Sequence, residues 1–221
     1  VAFLPVFYSK FALNDVVTML PVTLALLGSY LVYSKGRKRD WLLAGVGVGL
    51  AAATKYTAGA TALIPIAAAL LRPLPEPQEP GGRPNFKPLI VGALITVVAA
   101  VVVYVLLNPY SLIEFSEFRR EVAGQSATAG GSNKLGQEDI PGWIYYIKTL
   151  TWGFGWIPAL AAFVGAILLI GADRRKAIIL LVFPVFMFLF LGAQARYFGR
   201  WLMPTYPILA LLAGYALVQI G

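Results

Sequence analysis

The 221-residue chain has no cysteine and no histidine. Without thiolate or imidazole, a disulfide framework, a Cys or His zinc site and the usual catalytic base are all excluded, and no metal site is expected. Proton chemistry is left to Asp, Glu, Tyr or Lys. Charge is scarce as well: 13% of residues are charged, about half the share found in soluble domains.

What the chain has is apolar length. Hydrophobic residues make up 59% of it and the mean hydropathy is +0.75. Apolar runs cover Val16–Tyr33, Leu42–Ala53, Ala58–Leu71, Leu89–Leu107, Ile157–Ile170, Ala177–Leu191 and Leu202–Ile220. Several approach the roughly 20 residues that cross a bilayer as a helix, and none alternates as barrel strands do. The pattern predicts an all-α fold, a polytopic transmembrane helix bundle of about seven segments forming a single domain over residues 1–221.

The formal net charge of +8 does not call for a nucleic acid, because the basic residues cluster in short turns between spans. "SKGRKRD" (Ser34–Asp40) and "ADRRKA" (Ala172–Ala177) read as cytoplasmic by the positive-inside rule. Asp15, at the other end of the span before Gly36, is then expected on the outer face.

Leu42–Arg72 poses the main topological choice. As one helix it would run about 45 Å, too long for a core of about 30 Å, and Lys55 would sit near the middle. Two short helices broken at "TKYTAG" (Thr54–Gly59) put Lys55 at the outer surface instead. Alternation then makes residues 73–87 a Pro-rich cytoplasmic linker and residues 108–156 an outer-face segment. Asp15, Lys55, that segment and the turn "GAQARYFGR" (Gly192–Arg200) are all expected at one membrane face, and convergent polar groups there point to a functional site.

Within the outer segment, Ser111–Gly124 places Phe115, Phe118 and Val122 on one helical face, as in an interfacial helix. Gly142–Trp156 holds three Trp and two Tyr and reads as an aromatic belt leading into a span. Gln125–Gly142, small and polar, is expected to be a mobile loop with Lys134 as a candidate lid contact. "GVGVGLAAATKYT" (Gly45–Thr57) resembles a phosphate loop, but its G-x-G-x-G spacing and the lack of a glycine before Lys55 favour small residues that let helices pack closely.

"YSKFALNDV", "GLAAATKYTAG", "LLNPYSLIEFSEF" and "RYFGRWLMPTYPILALLAG" occur in this order over nearly the whole chain. The ordered set resembles the polyprenyl-phosphate-sugar glycosyltransferases of the GT-C superfamily, in particular family 39 with its protein O-mannosyltransferase-like and aminoarabinose-transferase-like relatives. The resemblance implies transfer of a sugar from a polyprenyl-phosphate donor to an acceptor at the outer face of a bacterial or archaeal cytoplasmic membrane. The lipid-linked sugar phosphate is the donor substrate and no cofactor is implied.

On that resemblance Asp15 falls on the family's acidic position as the catalytic candidate, and Lys55, Arg196 and Arg200 fall where a lipid phosphate is held. Lys10, Asn14, Tyr56 and Tyr197 are further candidate substrate contacts. Two departures stand out: Tyr8, Lys10 and Val17 replace residues common in relatives, and the family's principal catalytic acid lies in a first outer loop ahead of the region that begins at Val1. Read without the resemblance, Asn14 or Asp15 caps the helix beginning at Val16, Lys55 snorkels from a helix end, and Tyr197 packs. Two other readings stay open, a non-enzymatic membrane scaffold that packs against a membrane protein partner and a small-solute transporter.

Overall fold

The computed structural model describes residues 2–11, 13–73, 85–130 and 140–221. Among the described residues the regular structure is helical: α1 (Phe3–Tyr8), α2 (Asn14–Val17), α3 (Met19–Ser34), α4 (Lys38–Thr54), α5 (Leu63–Leu71), α6 (Lys87–Leu107), α7 (Tyr110–Ile113), α8 (Phe115–Gly130), α9 (Gly142–Thr149), α10 (Trp156–Ala172), α11 (Arg174–Gly192) and α12 (Tyr206–Ile220). Tight 3-10 segments, Tyr56–Ala62 and Gly199–Thr205, lead into α5 and α12. Lys134 and most of the Pro-rich stretch lie outside the described residues.

Among the described residues five stretches are long and apolar enough to cross a membrane: Asn14–Ser34, Lys87–Leu107, Gly142–Ala172, Arg174–Gly192 and Gly199–Ile220. Together with α4 and the shorter Tyr56–Leu71 they account for the seven apolar runs of the sequence. The protein is an integral membrane bundle of helices.

The break at Lys55 is present. α4 stops at Thr54, Lys55 is extended (φ −156°, ψ 116°), and the following 3-10 segment folds back beside α4. At the far end Arg72 donates to the carbonyl oxygens of Val32, Tyr33 and Lys35, where α3 ends. α5 therefore returns to the level at which α4 began, and Lys55 sits at the opposite end of the bundle from the Ser34–Asp40 turn.

α4 packs between α3 and α6, and its glycines allow the approach. A Cβ on Gly47 would collide with the Ala25 backbone of α3, and one on Gly49 would lie 2.5 Å from the Ala100 carbonyl oxygen of α6. The "GVGVG" run is thus a helix-packing device, as small residues are in membranes generally.

Two of the segments expected at the outer face differ from expectation. Gly142–Ala172 is one helical stretch of 31 residues, so the aromatic belt is its first half and not a separate lead-in. A straight helix of that length would be about 46 Å, against about 28 Å for α11. Yet Gly142 touches Gly192 at one end of α11, and Asp173 precedes Arg174 at the other. The stretch is therefore bent, and its regularity breaks at the π-helical segment Leu150–Gly155, which ends on Gly155 at φ 108°, a conformation open to glycine. The helix expected to lie in the interface, α8, begins after Glu114 and continues to Gly130, beyond the expected boundary at Gly124. Ala127, a strong helix former, helps carry that tail on. Residues 131–139 of the expected loop are outside the described residues.

Candidate functional site

Asp15 lies in the first turn of α2, 2% exposed. Its Oδ1 meets Lys55 Nζ at 2.5 Å, and its Oδ2 meets Arg200 Nε at 3.3 Å. Three remote stretches are joined in this way: the start of α2, the extended residue after α4, and the 3-10 segment before α12. Two cations share one carboxylate, which leaves one net positive charge.

Aromatic rings frame the cations. Lys55 Nζ is 5.8 Å from the Trp201 ring, and the Arg200 guanidinium is 4.6 Å from the Phe198 ring and 5.8 Å from that of Tyr8. Ring faces of this kind attract cations where water is scarce.

The helix-capping reading of Asn14 and Asp15 does not hold. Leu13 occupies the cap position, no side chain caps α2, and the Asn14 side chain donates instead to the Thr54 carbonyl oxygen at 2.8 Å. Thr18 reinforces the same junction, donating to Asn14 O at 2.7 Å and lying 3.1 Å from Thr54 Oγ1.

Asn14, Asp15, Lys55, Tyr56 and Arg200 line one cavity of about 560 Å³, closed further by Asn108, Phe118, Gln194 and Trp201. This volume falls within the range of small-molecule sites, roughly 300 to 1,000 Å³. The Thr57 hydroxyl on its wall is buried without a hydrogen-bond partner among the described residues.

The chain matches the family model of glycosyltransferase family 87 over residues 1–192. The chain belongs to glycosyltransferase family 87. No curated protein and no solved structure matches it. Family 87 is of the GT-C type, so the expected superfamily holds and the protein is a membrane glycosyltransferase, although the sequence motifs resemble family 39. Asp15, Lys55 and Asn108 fall inside the matched span, and Arg200 follows it.

The remaining candidates separate. Arg196 is not part of the cavity wall, and its guanidinium stacks 5.7 Å from the Phe198 ring. Tyr197 is buried, donates to the Ile140 carbonyl oxygen at 3.0 Å and packs on Tyr145, which is the packing reading. Lys10 is exposed and away from the cavity wall. Sequence reasoning missed Asn108, Gln194 and Trp201. For Asn108 the signal was a carboxamide and a proline directly after a span, which reads equally as a helix stop.

Proposed function

We propose that the cavity binds a polyprenyl-phosphate-linked sugar, sets its phosphate against Lys55 and Arg200, and passes the hexosyl or pentosyl group to an acceptor at the outer membrane face. The observation that carries this reading is the wall on which two cations share Asp15. A sugar phosphodiester brings one negative charge to that wall. As the bond from the sugar carbon to the phosphate oxygen breaks, its electrons stay on the phosphate and the negative charge doubles. Fixed cations therefore bind the departing phosphate more strongly than the substrate, which is the condition for catalysis.

Asp15 has both oxygens engaged and holds the cations in place. It can accept the proton of an attacking hydroxyl only after the donor phosphate has drawn one cation away. The outer-face assignment is supported by the far end of the bundle, where Lys35, Arg37, Lys38, Arg39, Arg174 and Arg175 gather beside the turns at Ser34–Asp40 and Ala172–Ala177. The polyprenyl carrier, the bacterial or archaeal setting and kinship to family 39 are supported by the four sequence motifs.

The test is binding of a radiolabelled polyprenyl-phosphate sugar to the full chain in nanodiscs. Lys55→Met and Arg200→Met are each expected to weaken it about tenfold. If the chain retains no more of this lipid than of an uncharged polyprenol, the reading falls.

A further inference from the structure

Asn14 and Asn108 reach the same end of α4 from different parts of the chain. Asn14, at the start of α2, donates from Nδ2 to the Thr54 carbonyl oxygen at 2.8 Å, and Asn108, just after α6, donates from Nδ2 to the Ala53 carbonyl oxygen at 3.3 Å. These carbonyls close a helix and have no helical N–H of their own to meet. Asn108 is held on its other side as well, since its main-chain oxygen accepts from the Ser111 hydroxyl at 2.7 Å. Each carboxamide is thus tied to the end of α4 through one N–H, and both residues line the cavity.

A carboxamide has two N–H donors and one acceptor oxygen. One N–H of each is spent on α4, and among the described residues neither Oδ1 accepts a hydrogen bond. Each side chain keeps a donor and an acceptor side by side.

We propose that Asn108, together with Asn14, reads the sugar of the lipid-linked donor. The remaining Nδ2–H donates to one ring hydroxyl, and Oδ1 accepts from the adjacent hydroxyl. Neighbouring hydroxyls on a pyranose are each both donor and acceptor, so a carboxamide matches them as a pair. The group is uncharged and does not titrate, so it adds no charge to a wall already carrying Lys55 and Arg200. Trp201, on the same cavity, supplies a flat apolar surface for the ring. A division of labour results: the cations hold the phosphate that every polyprenyl phosphate shares, and the carboxamides hold what only a sugar-loaded lipid carries. This inference rests on the lipid-phosphate reading above.

The experiment measures Kd for two lipids of equal charge, a sugar-free polyprenyl methyl phosphate diester and the polyprenyl phosphate diester bearing a hexose, on the full chain in nanodiscs. Wild type is expected to prefer the sugar-loaded lipid by about tenfold or more, because groups built to meet hydroxyls lose binding when the hydroxyls are missing. Asn108→Ala is expected to bring that ratio close to one with little effect on the bare lipid, and Lys55→Met to weaken both lipids alike. A purely structural Asn108 would weaken both lipids equally and keep the ratio. Should Asn108→Ala fail to elute as folded protein, Asn14→Ser gives the deciding ratio. A preference unchanged in these variants, or absent in wild type while both lipids bind, overturns the sugar-reading role and leaves the phosphate site standing. If neither lipid binds wild type, the phosphate reading falls and this one with it.

Discussion

Lys55 Nζ and Asp15 Oδ1 lie 2.5 Å apart across forty residues of sequence, at a point where the Lys55 side chain is 12% exposed and that of Asp15 only 3%. Removing one member of a buried pair strands the other's charge. Asp15→Asn strands two cations, whereas Lys55→Met leaves Arg200 on the carboxylate. The asparagine variant is therefore expected to lose about 3 kcal/mol, the methionine variant less, and the double variant to recover part of the loss. Thermal unfolding in detergent reads this order, and equal losses for the two single variants would contradict the shared carboxylate.

The hairpin at Lys55 fixes which turns share an end. Since the chain has no cysteine, Ser34→Cys and Gln194→Cys each create a single labelling site. With a membrane-impermeant thiol reagent on intact cells, Gln194→Cys is expected to label from outside and Ser34→Cys only after permeabilisation. Labelling of both from one side would remove the hairpin topology. The opposite pattern would keep the topology and turn the site inward.

The glycines of the bundle should divide into two kinds. Gly47→Ala pushes a methyl group into the Ala25 backbone and is expected to cost about 1 to 3 kcal/mol, while a methyl group on Gly214, in α12, would have no neighbouring atom within 4 Å. Gly214→Ala is expected to be neutral or to gain up to about 1 kcal/mol from helix propensity. Melting temperatures of the two variants test the close packing of α3 on α4.

Asp173 caps α11 by accepting the Lys176 backbone N–H at 3.1 Å, and that bond holds its carboxyl below the ordinary aspartate range. A lowered value means that the cap stabilises fully above the ordinary range and fades as pH falls through the lowered one. Asp173→Ala is expected to cost about 1 kcal/mol at neutral pH, and the gap to wild type should narrow in acid. A gap that stays constant down to strongly acidic pH would assign the loss to something other than the charged cap.

Hydropathy was enough to place the seven segments, and the cost of immersing Lys55 was enough to place the break. Those two facts brought Asp15, Lys55 and the turn holding Arg200 to one end. The partners themselves were not legible. That Asp15 takes both cations, that Asn14 grips Thr54 and not its own helix, and that Arg200 and not Arg196 lies on the cavity wall all depend on how α2, α4 and the 3-10 segment before α12 are turned about their axes. Periodicity reports such rotation only where one face is polar. In a bundle apolar on nearly every face it is silent, and α8 shows a second limit, since its small-residue tail reads equally as loop or helix.

Arg72 has a consequence for how the chain is built. α4 has 17 residues and Tyr56–Leu71 is shorter, so each falls short of the roughly 20 needed to cross unaided. Arg72 closes on the last carbonyls of α3, and Lys55 closes on Asp15 in α2, just ahead of α3. Both ends of the short pair are clasped by the α2–α3 stretch that precedes it. In chain order α3 precedes the pair and offers the surface on which the next two crossings dock, so the site is assembled when the hairpin is docked.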